Sequence, residues 1–556
     1  MESNRLIIAI VVTMAVLFLY QEFLQWRYPN LYGPNAKHSM VASPQPTSGG
    51  ATVATNQVAN PAPAAAPATS APGTSIAPFA EKTFKIDTDF YEATIDSRGA
   101  RLVSFKLKKY LATTAPDSPY YEVIRRGERM PIGLVVGQGD NAASDGDINY
   151  ASDSPTELNV TSDPVTLTMR GSTASGVTLE KQFTFRPSSY VFDVSASVSA
   201  ANGAPPNNLG LTISQPMTEL AGYRDYPEIQ ADVQGKAITD QEKAVQKGVA
   251  PVTGTITYAG FGDRYFLAVF LPKEPNNGTL GINYINGEAD AQLTFSGASK
   301  LTSRVYVGPK SLQILEAVDP ALSKAIDLGF WGIIALPFMR LLKIFYYVVP
   351  NYGIAIILLT IVVRLLTLPM SIRGQRSMMK MQRLQPQVER IREKYKDDSE
   401  RLNREMMDLY RRNHVNPLGG CLPMLVQFPV FIGLYQALLN AVDLRHARFF
   451  GWIQDLSAPD CLHIAGFPQI PFTTCHGIPV LVGLMTVSTF VQQWMMPKQP
   501  DPSQQKMMMF MPLAFSVIFL QLPAGLSLYY FASNVLGIVQ QLVLNREFKQ
   551  NTDTTT

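Results

Sequence analysis

The sequence predicts a polytopic α-helical membrane protein with one N-terminal anchor, a five-helix core and a large exported all-β domain. Hydrophobic residues make up 46% of the 556-residue chain and charged residues only 16%, whereas charged residues are about 25% of an average soluble domain. Long apolar runs open the chain and recur through residues 350–545, while residues 80–318 alternate between apolar and polar side chains. These observations place the β domain between an anchor and a helical core.

The apolar run at residues 6–20, "LIIAIVVTMAVLFLY", predicts a transmembrane anchor over residues 1–28. A removed signal peptide is the alternative, but no small-x-small cleavage site follows the run. Trp26 and Tyr28 also suit a membrane interface. Residues 29–79 are rich in Ala, Pro and Ser, which is typical of an extended flexible linker.

Residues 80–318 consist of short runs with a period of two, separated by Gly, Pro, Asn and Asp. In "YVFDVSASV", Phe192 and Val194 share one face and Asp193 lies on the other. Many short strands with turn residues between them are typical of an antiparallel sandwich. All five histidines and all three cysteines lie outside this region, so a scaffold or binding surface is favoured over a catalytic domain.

Residues 319–349 are apolar but are interrupted by Pro337, Arg340 and Lys343. They predict an amphipathic helix that lies in the headgroup plane rather than a membrane span. The core is expected over residues 350–545. Its five spans are predicted at approximately residues 351–371, 421–441, 478–496, 507–522 and 525–544.

Charged residues in the loops predict the orientation of the spans. Residues 372–416 carry twelve Lys and Arg against seven Asp and Glu, whereas residues 441–477 carry two Lys or Arg and three Asp. Because Lys and Arg are enriched in cytoplasmic loops, the basic loop is expected in the cytoplasm. Both chain ends, including the tail at 546–556, are then cytoplasmic, and the β domain is exported.

The basic loop predicts a cytoplasmic helical hairpin over residues 374–415. Apolar residues recur at intervals of three and four on both sides of "KDDS", and Ser399 is placed to cap the second helix. A charge-rich helical pair is often only a solvated surface, but the basic excess and the methionines here favour a docking role. The candidate docking residues are Met378, Met381, Arg390, Arg392, Met406 and Met407.

Charge and cysteine content limit the other classes of function. A net charge of +3 does not by itself indicate a nucleic-acid binder, and three cysteines are too few for a disulfide scaffold. Cys461 and Cys475 share one polar loop and can pair if that loop faces an oxidising compartment. Zinc is the alternative, because His463 and His476 lie nearby, but the spacing matches no common zinc module. We therefore expect no metal site.

Arg364 lies inside the apolar run "ILLTIVVRLLTLPM" at 357–370, where a guanidinium costs about 2.5–3.5 kcal/mol on insertion scales. The last four predicted spans offer no Asp or Glu at membrane depth to pair with it. Polar residues within spans usually join helices to one another, but that role does not explain an unpaired cation. A cavity that is wet from the cytoplasm explains it. The candidate lining residues are Thr360, Arg364, Thr367, Gln427, Tyr435, Gln492, Ser527, Tyr530 and Asn534.

Several segments of the core resemble the YidC membrane-protein insertase family. They are "LTIVVRLLTLPM", "RLNREMMDLYRRNHV", "NPLGGCLPMLVQFPVFIGLYQAL" and "LPAGLSLYYFASN". The resemblance implies a bacterial inner-membrane protein with a periplasmic β-supersandwich and five core helices around a hydrophilic groove. In such a groove Arg364 is the charged residue. The resemblance also implies that the protein is not an enzyme and uses no nucleotide, metal or other cofactor.

The resemblance further implies the partners. Clients are nascent membrane proteins, received alone or beside the Sec translocon and its accessory subunits, in contact with the lipid bilayer. The short, non-basic tail assigns contact with the ribosome and the signal recognition particle receptor to the hairpin. Apolar client segments are expected to slide into lipid along Phe428, Phe431, Phe515 and Phe519. A secondary transporter, or a membrane-anchored enzyme that acts through the sandwich, is the alternative.

Overall fold

The structure is a computed structural model. It describes residues 81–553 with the exception of 128–130, 138–141, 174–175, 201–207, 218–226, 242–244, 247, 286, 397, 414, 416–421, 471–472, 474 and 496–501. The predicted anchor at 1–28 and the predicted linker at 29–79 lie outside the described residues.

The first half of the described chain is an all-β domain, as the sequence predicts. Its strands are β1 (Thr83–Thr88), β2 (Tyr91–Asp96), β3 (Arg101–Leu111), β4 (Tyr120–Ile124), β5 (Gly133–Val136), β6 (Ala143–Ser144), β7 (Glu157–Val160), β8 (Val165–Ser172), β9 (Val177–Phe185), β10 (Val191–Ala200), β11 (Asn208–Pro216), β12 (Glu228–Val233), β13 (Lys236–Gln241), β14 (Val249–Gly262), β15 (Phe266–Glu274), β16 (Asn277–Ile285), β17 (Glu288–Ser296) and β18 (Lys300–Pro309).

Two sheets form a sandwich. Within the described residues, the smaller sheet has the order β4-β3-β2-β1-β7, and the larger has the order β6-β5-β11-β17-β16-β14-β15-β18-β10-β9-β8, with β12 and β13 attached to β14. Aromatic rings join the sheets: Phe105 stacks on Phe192 at 6.3 Å between ring centroids, and Tyr121 stacks on Phe266 at 4.2 Å. The alternation predicted for β10 is confirmed, because Phe192 and Val194 are buried.

A buried ion pair fixes one end of the sandwich. Lys181 on β9 is fully buried, and its Nζ lies 2.6 Å from the Oδ2 of Asp145. The same ammonium donates hydrogen bonds to the carbonyls of Gly99 at 2.6 Å and Ile132 at 2.8 Å. Arg101 pairs with the other carboxylate oxygen at 2.9 Å. Burial lowers the pKa of Lys181 to about 8, against the opposing effect of Asp145.

The second half of the described chain is helical. Its helices are α1 (Leu312–Val318), α2 (Gly332–Val348), α3 (Tyr352–Arg383), α4 (Gln385–Lys394), α5 (Ser399–Arg412), α6 (Leu422–Leu439), α7 (Val480–Met495), α8 (Pro502–Phe519) and α9 (Ala524–Asp553). Helix α9 packs against α3 and α7, and α2 packs against α3 and α6. By length and composition, the segments Gly329–Val348, Tyr352–Arg383 and Ala524–Arg546 are able to cross a membrane.

The predicted interfacial helix is shorter than the sequence suggested. Residues Pro320–Ala325 form a 3₁₀ turn, which begins where the side chain of Asp319 accepts the backbone N–H of Ala321 at 3.0 Å. Gly329 follows with φ of 53°. This is a left-handed conformation, which Gly adopts readily but which a right-handed helix does not contain. The α-helix therefore starts at Gly332 instead of at residue 319.

The basic loop is helical, but its division differs from the prediction. Helix α3 continues beyond the predicted span end at 371 to Arg383. Asp398, rather than Ser399, caps α5, since its Oδ1 accepts the backbone N–H of Arg401 at 3.0 Å. Helices α4 and α5 pack against each other over a small cluster that includes Val388 and Tyr410.

The sandwich contacts the helical core through Arg445, in the loop after α6. Its guanidinium donates hydrogen bonds to the carbonyls of Leu111 at 2.7 Å and Ala112 at 3.2 Å. The guanidinium carbon also lies 4.7 Å from the ring centroid of Tyr121, within the range of cation–π attraction. One side chain therefore joins the β3–β4 hairpin to the membrane core.

Candidate functional site

Arg364 lies on α3 and points at α9. Its Nε donates a hydrogen bond to the Oγ of Ser533 at 2.8 Å, and its Nη2 donates to the Ser533 carbonyl at 2.6 Å. Within the described part of the chain, no carboxylate lies within ion-pair distance of this guanidinium. The side chain is half-buried. Neutral acceptors therefore hold the charge in place without neutralising it.

The two threonines predicted beside Arg364 bond to their own helix. Thr360 donates to the Ile356 carbonyl at 2.7 Å, and Thr367 donates to the Val363 carbonyl at 3.0 Å. Such back-bonding satisfies a hydroxyl inside an apolar helix. Thr360 is fully buried, so it belongs to a helix contact and not to the lining of an open cavity.

The polar face predicted on α9 is divided between helix packing and the Arg364 site. Asn534 joins α9 to α7, because its amide donates to the Oγ of Ser488 at 3.0 Å and to the Oγ1 of Thr489 at 2.8 Å. Ser527 and Asn534 are both buried. The prediction that they line an open cavity is therefore wrong for this conformation, since both lie between helices.

Helix α6 reaches the same site from the other side. Gln427 donates to the hydroxyl of Tyr529 at 3.0 Å. Phe431 lies edge-on to Tyr530 with 5.4 Å between ring centroids and stacks on Tyr435 at 6.4 Å. The structure thus brings the predicted residues of α6 and α9 together in one contact beside Arg364.

Gly537 is a position on α9 that both Arg364 and Gln492 approach closely. A Cβ atom built on Gly537 would lie 2.6 Å from the Nε2 of Gln492 and 3.3 Å from the Nη2 of Arg364. Sequence reasoning named Arg364 and Gln492 but missed Ser533, Tyr529 and Gly537. The available signal was the helical spacing of Tyr530, Ser533 and Gly537 along one face.

The predicted aromatic slide is only partly exposed. Phe428 on α6 is 57% exposed and Phe515 on α8 is 41% exposed, whereas Phe519 is 1% exposed. Phe519 is buried because its ring packs edge-on against Tyr530 at 4.9 Å. Its prediction as a lipid-side contact is therefore wrong, and α8 turns other apolar residues outward. They include Phe510, Leu513, Val517 and Ile518.

The hairpin presents fewer methionines than the sequence suggested. Met378 and Met381 are buried, and Met381 packs with Val388 in the hairpin's own cluster. Met406 and Arg392 are half-buried, while Arg390 and Met407 are exposed. Of the four methionines predicted here, only Met407 is therefore exposed.

The loop between α6 and α7 is held by a disulfide and by hydrogen bonds to the start of α7. A disulfide joins Cys461 to Cys475, with 5.6 Å between their Cα atoms. The neighbouring Asp460 accepts the backbone N–H groups of Leu481 at 2.6 Å and Val482 at 3.2 Å, which caps α7. Burial raises the pKa of Asp460. The described residues contain no group of three His, Cys, Asp or Glu side chains placed to hold a metal ion.

The same loop also holds the start of α9. The backbone N–H of Ala524 donates to the carbonyl of Ala458 at 2.7 Å, and that of Gly525 donates to Leu456 at 2.9 Å. These bonds satisfy N–H groups that a helix start leaves without intrahelical partners. The loop thus fixes the outer ends of α7 and α9, the two helices that Asn534 joins deeper in the core.

Two protein families together match nearly all of the described residues. The 60Kd inner membrane protein family matches residues 344–551, and the YidC periplasmic domain family matches residues 83–341. The "Membrane protein insertase YidC" of Maridesulfovibrio salexigens is 36% identical over 99% of this chain and 100% of its own length. That of Syntrophus aciditrophicus is 34% identical over 98% and 100%, respectively.

The chain belongs to the YidC membrane protein insertase family. Like other YidC insertases, it is an inner-membrane protein with a periplasmic domain, and its clients are newly made membrane proteins. This assignment favours insertion over the transporter and enzyme alternatives.

Two solved structures are also similar. "Active YidC insertase crystal structure with the first transmembrane domain resolved" has a TM-score of 0.36 at 18% identity, over 82% of this chain and 90% of that one. A putative mutarotase from Salmonella typhimurium has a TM-score of 0.27 at 11% identity, over 41% of this chain and 90% of that one.

Proposed function

We propose that this YidC insertase receives the polar end of a client at Arg364, in a groove formed by α3, α6 and α9 that opens toward the cytoplasm. One observation carries the proposal: Arg364 is held by Ser533 through neutral acceptors, so its positive charge stays available. A charge that is not neutralised in a poorly solvating environment attracts acidic or strongly polar groups.

The depth of Arg364 supports entry from the cytoplasmic side. Helix α3 starts at Tyr352, next to the periplasmic domain, and Arg364 follows 12 residues later, about 18 Å along the axis at 1.5 Å per residue. A hydrocarbon core is about 30 Å thick, so Arg364 lies beyond its midpoint. With the basic loop in the cytoplasm, both chain ends are cytoplasmic as well.

The exposed aromatic side chains provide the exit into lipid. Phe428 and Phe515 lie on the exposed faces of α6 and α8, and Phe431 contacts Tyr530 edge-on. An apolar client segment gains about 0.3–0.6 kcal/mol per Leu-like residue at the centre of the membrane. Twenty such residues supply several kcal/mol, which suffices to carry a short polar tail across and favours clients with small exported tails.

The hairpin of α4 and α5 recruits the client. Its exposed Arg390 and Met407 offer a basic surface with one flexible apolar side chain, which suits a ribosome surface and a nascent apolar segment. The ribosome and the signal recognition particle receptor are the partners we assign to it. The Sec translocon and its accessory subunits are the partners we assign to the membrane core for clients with several spans.

Photo-cross-linking tests the groove. A photoreactive residue is placed at Gln427, Phe431 or Tyr530, and the full chain in native membranes is presented with a ribosome-stalled single-span client. Leu366 serves as the matched control, because it is 74% exposed and lies two residues from Arg364 on the same helix. Client adducts at the three site positions and few at Leu366 are expected. Equal capture at all four positions would contradict the groove.

A further inference from the structure

A cavity of about 280 Å³ lies where the periplasmic domain meets the outer ends of the helices. The cavity is lined by Lys310, which directly follows β18, and by residues of α1 and α2. The start of α3 and the segment after α6 complete the lining. The cavity is separate from the Arg364 site, which lies 12 residues further along α3 than Tyr352. Its charged or hydroxyl-bearing lining residues include Lys310, Glu316, Arg340, Lys343, Tyr352 and Asp443.

Both signs of charge line the cavity. Arg340 pairs with Glu316 at 2.8 Å, and their side chains are 60% and 37% exposed. Lys343 pairs with Asp443 at 2.7 Å and also donates to the Tyr352 hydroxyl at 3.1 Å. The Arg340–Glu316 pair is exposed, and such pairs contribute only about 0–1 kcal/mol, so a ligand can exchange partners with it at little cost. The Lys343–Asp443 pair is mostly buried, with side chains 20% and 28% exposed, so it exchanges only with a ligand that brings both charges.

The cavity also has an apolar flank. Leu312 and Leu342 line it from the protein side. Ile344, which lines it as well, is 56% exposed, and the following Tyr347 and Val348 are 70% and 73% exposed. An exposed apolar helix face at the outer end of membrane spans lies at the level of lipid headgroups and upper acyl chains. A ligand in the cavity can therefore extend apolar chains along α2.

We propose that this cavity binds the phosphoethanolamine headgroup of a phospholipid from the outer leaflet. The phosphate replaces Glu316 and Asp443 as the partner of Arg340 and Lys343, and the ligand's ammonium then pairs with the two released carboxylates. Arginine and lysine are the usual phosphate partners in proteins.

Binding would fix the angle at which α2 meets the membrane. The lipid contacts α1, which continues from the periplasmic domain, and the start of α3, which carries Arg364 further along. A structural lipid at this joint holds the periplasmic domain, α2 and α3 together, in a role that is independent of client binding.

Titration of the full chain with single lipids, followed by native mass spectrometry, tests the proposal. Dioleoyl phosphatidylethanolamine, dioleoyl phosphatidylglycerol and dioleoyl phosphatidylcholine are each added to the protein in detergent. We expect the ethanolamine lipid to bind about tenfold more tightly than the glycerol lipid, a difference of ~1.4 kcal/mol. Glu316→Gln removes one of the two carboxylates and reduces this preference while glycerol-lipid binding persists, and Arg340→Gln weakens both.

Arg98→Gln is the matched control, because Arg98 forms an exposed ion pair with Asp147 at 2.8 Å on the periplasmic domain, away from the cavity lining. It should leave the binding of every lipid unchanged. Free phosphoethanolamine should bind at least about tenfold more weakly than the lipid, because it has no chains to lie on Ile344 and Tyr347. The proposal would be overturned if the three lipids bound equally, or if the glycerol lipid bound more tightly than the ethanolamine lipid. It would also be overturned if neither variant changed ethanolamine-lipid binding, or if free phosphoethanolamine bound as tightly as the lipid.

Discussion

Arg364 on α3 reaches Ser533 on α9, 169 positions further along the chain, with two hydrogen bonds from one guanidinium. One bond ends on the side-chain hydroxyl and the other on the backbone carbonyl. The backbone bond is independent of the residue type at 533, so a substitution there removes only half of the contact.

Ser533→Ala removes the hydroxyl that accepts the Arg364 Nε. Hydrogen bonds to charged groups contribute about 1.5–3 kcal/mol, so the free energy of unfolding should fall by this amount. Ser527→Ala is the control on the same helix, because the buried Ser527 Oγ has no hydrogen-bond partner within the described residues. Its removal should be neutral or stabilising. Unfolding of both variants in detergent would measure the difference, and equal losses would contradict a specific Arg364–Ser533 bond.

Gly537→Ala should destabilise the core. The new methyl group would lie 2.6 Å from the Gln492 amide and 3.3 Å from the Arg364 guanidinium, so both flexible side-chain ends must move away from α9. Loss of the Arg364–Ser533 hydrogen bonds costs about 1.5–3 kcal/mol, which exceeds the ~1 kcal/mol that Ala gains over Gly inside a helix. The unfolding temperature and the insertion of a single-span client should both fall.

Gly483→Ala on α7 provides the control for that substitution, because nothing lies within 4 Å of a Cβ built there. Since Ala is favoured over Gly inside a helix by about 1 kcal/mol, the unfolding temperature of this variant should stay the same or rise. A loss as large as that of Gly537→Ala would show that the Gly537 contact is not the cause.

Replacing both Cys461 and Cys475 by Ser should destabilise the outer loop. The disulfide closes a loop of 14 residues, for which the chain-entropy argument gives about 3 kcal/mol. The backbone N–H groups of Leu481 and Val482 donate hydrogen bonds to Asp460, and their hydrogen exchange should become faster. Dithiothreitol should have the same effect on the parent chain and none on the double variant; an effect on both would point to a different thiol.

Stability should fall as the pH drops below about 6.5, in part because of His446. Burial, with Arg445 nearby, lowers the pKa of His446 below its ordinary value of 6.5. The unfolded chain therefore binds a proton that the folded chain excludes, which favours unfolding as the pH falls through this range. The thermal stability of the full chain at a series of pH values measures the slope.

His446→Asn removes the titrating ring and should flatten that slope. Asn is the suitable replacement because residue 446 has φ of 58°, a conformation that Asn tolerates better than most residues. An unchanged slope in this variant would assign the acid sensitivity to other groups.

Features that depend on local periodicity were predictable from the sequence. The period of two in β10 correctly predicted its buried face, and the helical spacing of the basic loop indicated helices where α4 and α5 lie. Arg364 stood out because a cation inside an apolar run has a known cost. Each of these signals lies within a single element.

Features that depend on the rotation of one helix against another were not predictable. Phe519 and Phe515 are four residues apart and share a face in the sequence pattern, yet only Phe519 is buried, because Tyr530 of another helix covers it. Ser533 could not be singled out from the sequence, because serine is common in membrane spans. Its role depends on its contact with Arg364, which lies far away in the chain. Asp and Ser are similarly favoured at the N-cap of a helix, so the sequence alone could not decide between Asp398 and Ser399.

Helix α3 is 32 residues long, which corresponds to about 48 Å at 1.5 Å per residue. The hydrocarbon core is about 30 Å thick, so roughly a third of the helix stands outside it as a rigid stalk below Arg364. Any force applied to α4 acts on the end of this stalk. Pro369 lies between this stalk and Arg364, and a proline inside a helix removes one backbone hydrogen bond and permits a kink. A tilt of the stalk would therefore bend α3 at Pro369 before it shifted the guanidinium of Arg364 relative to Ser533.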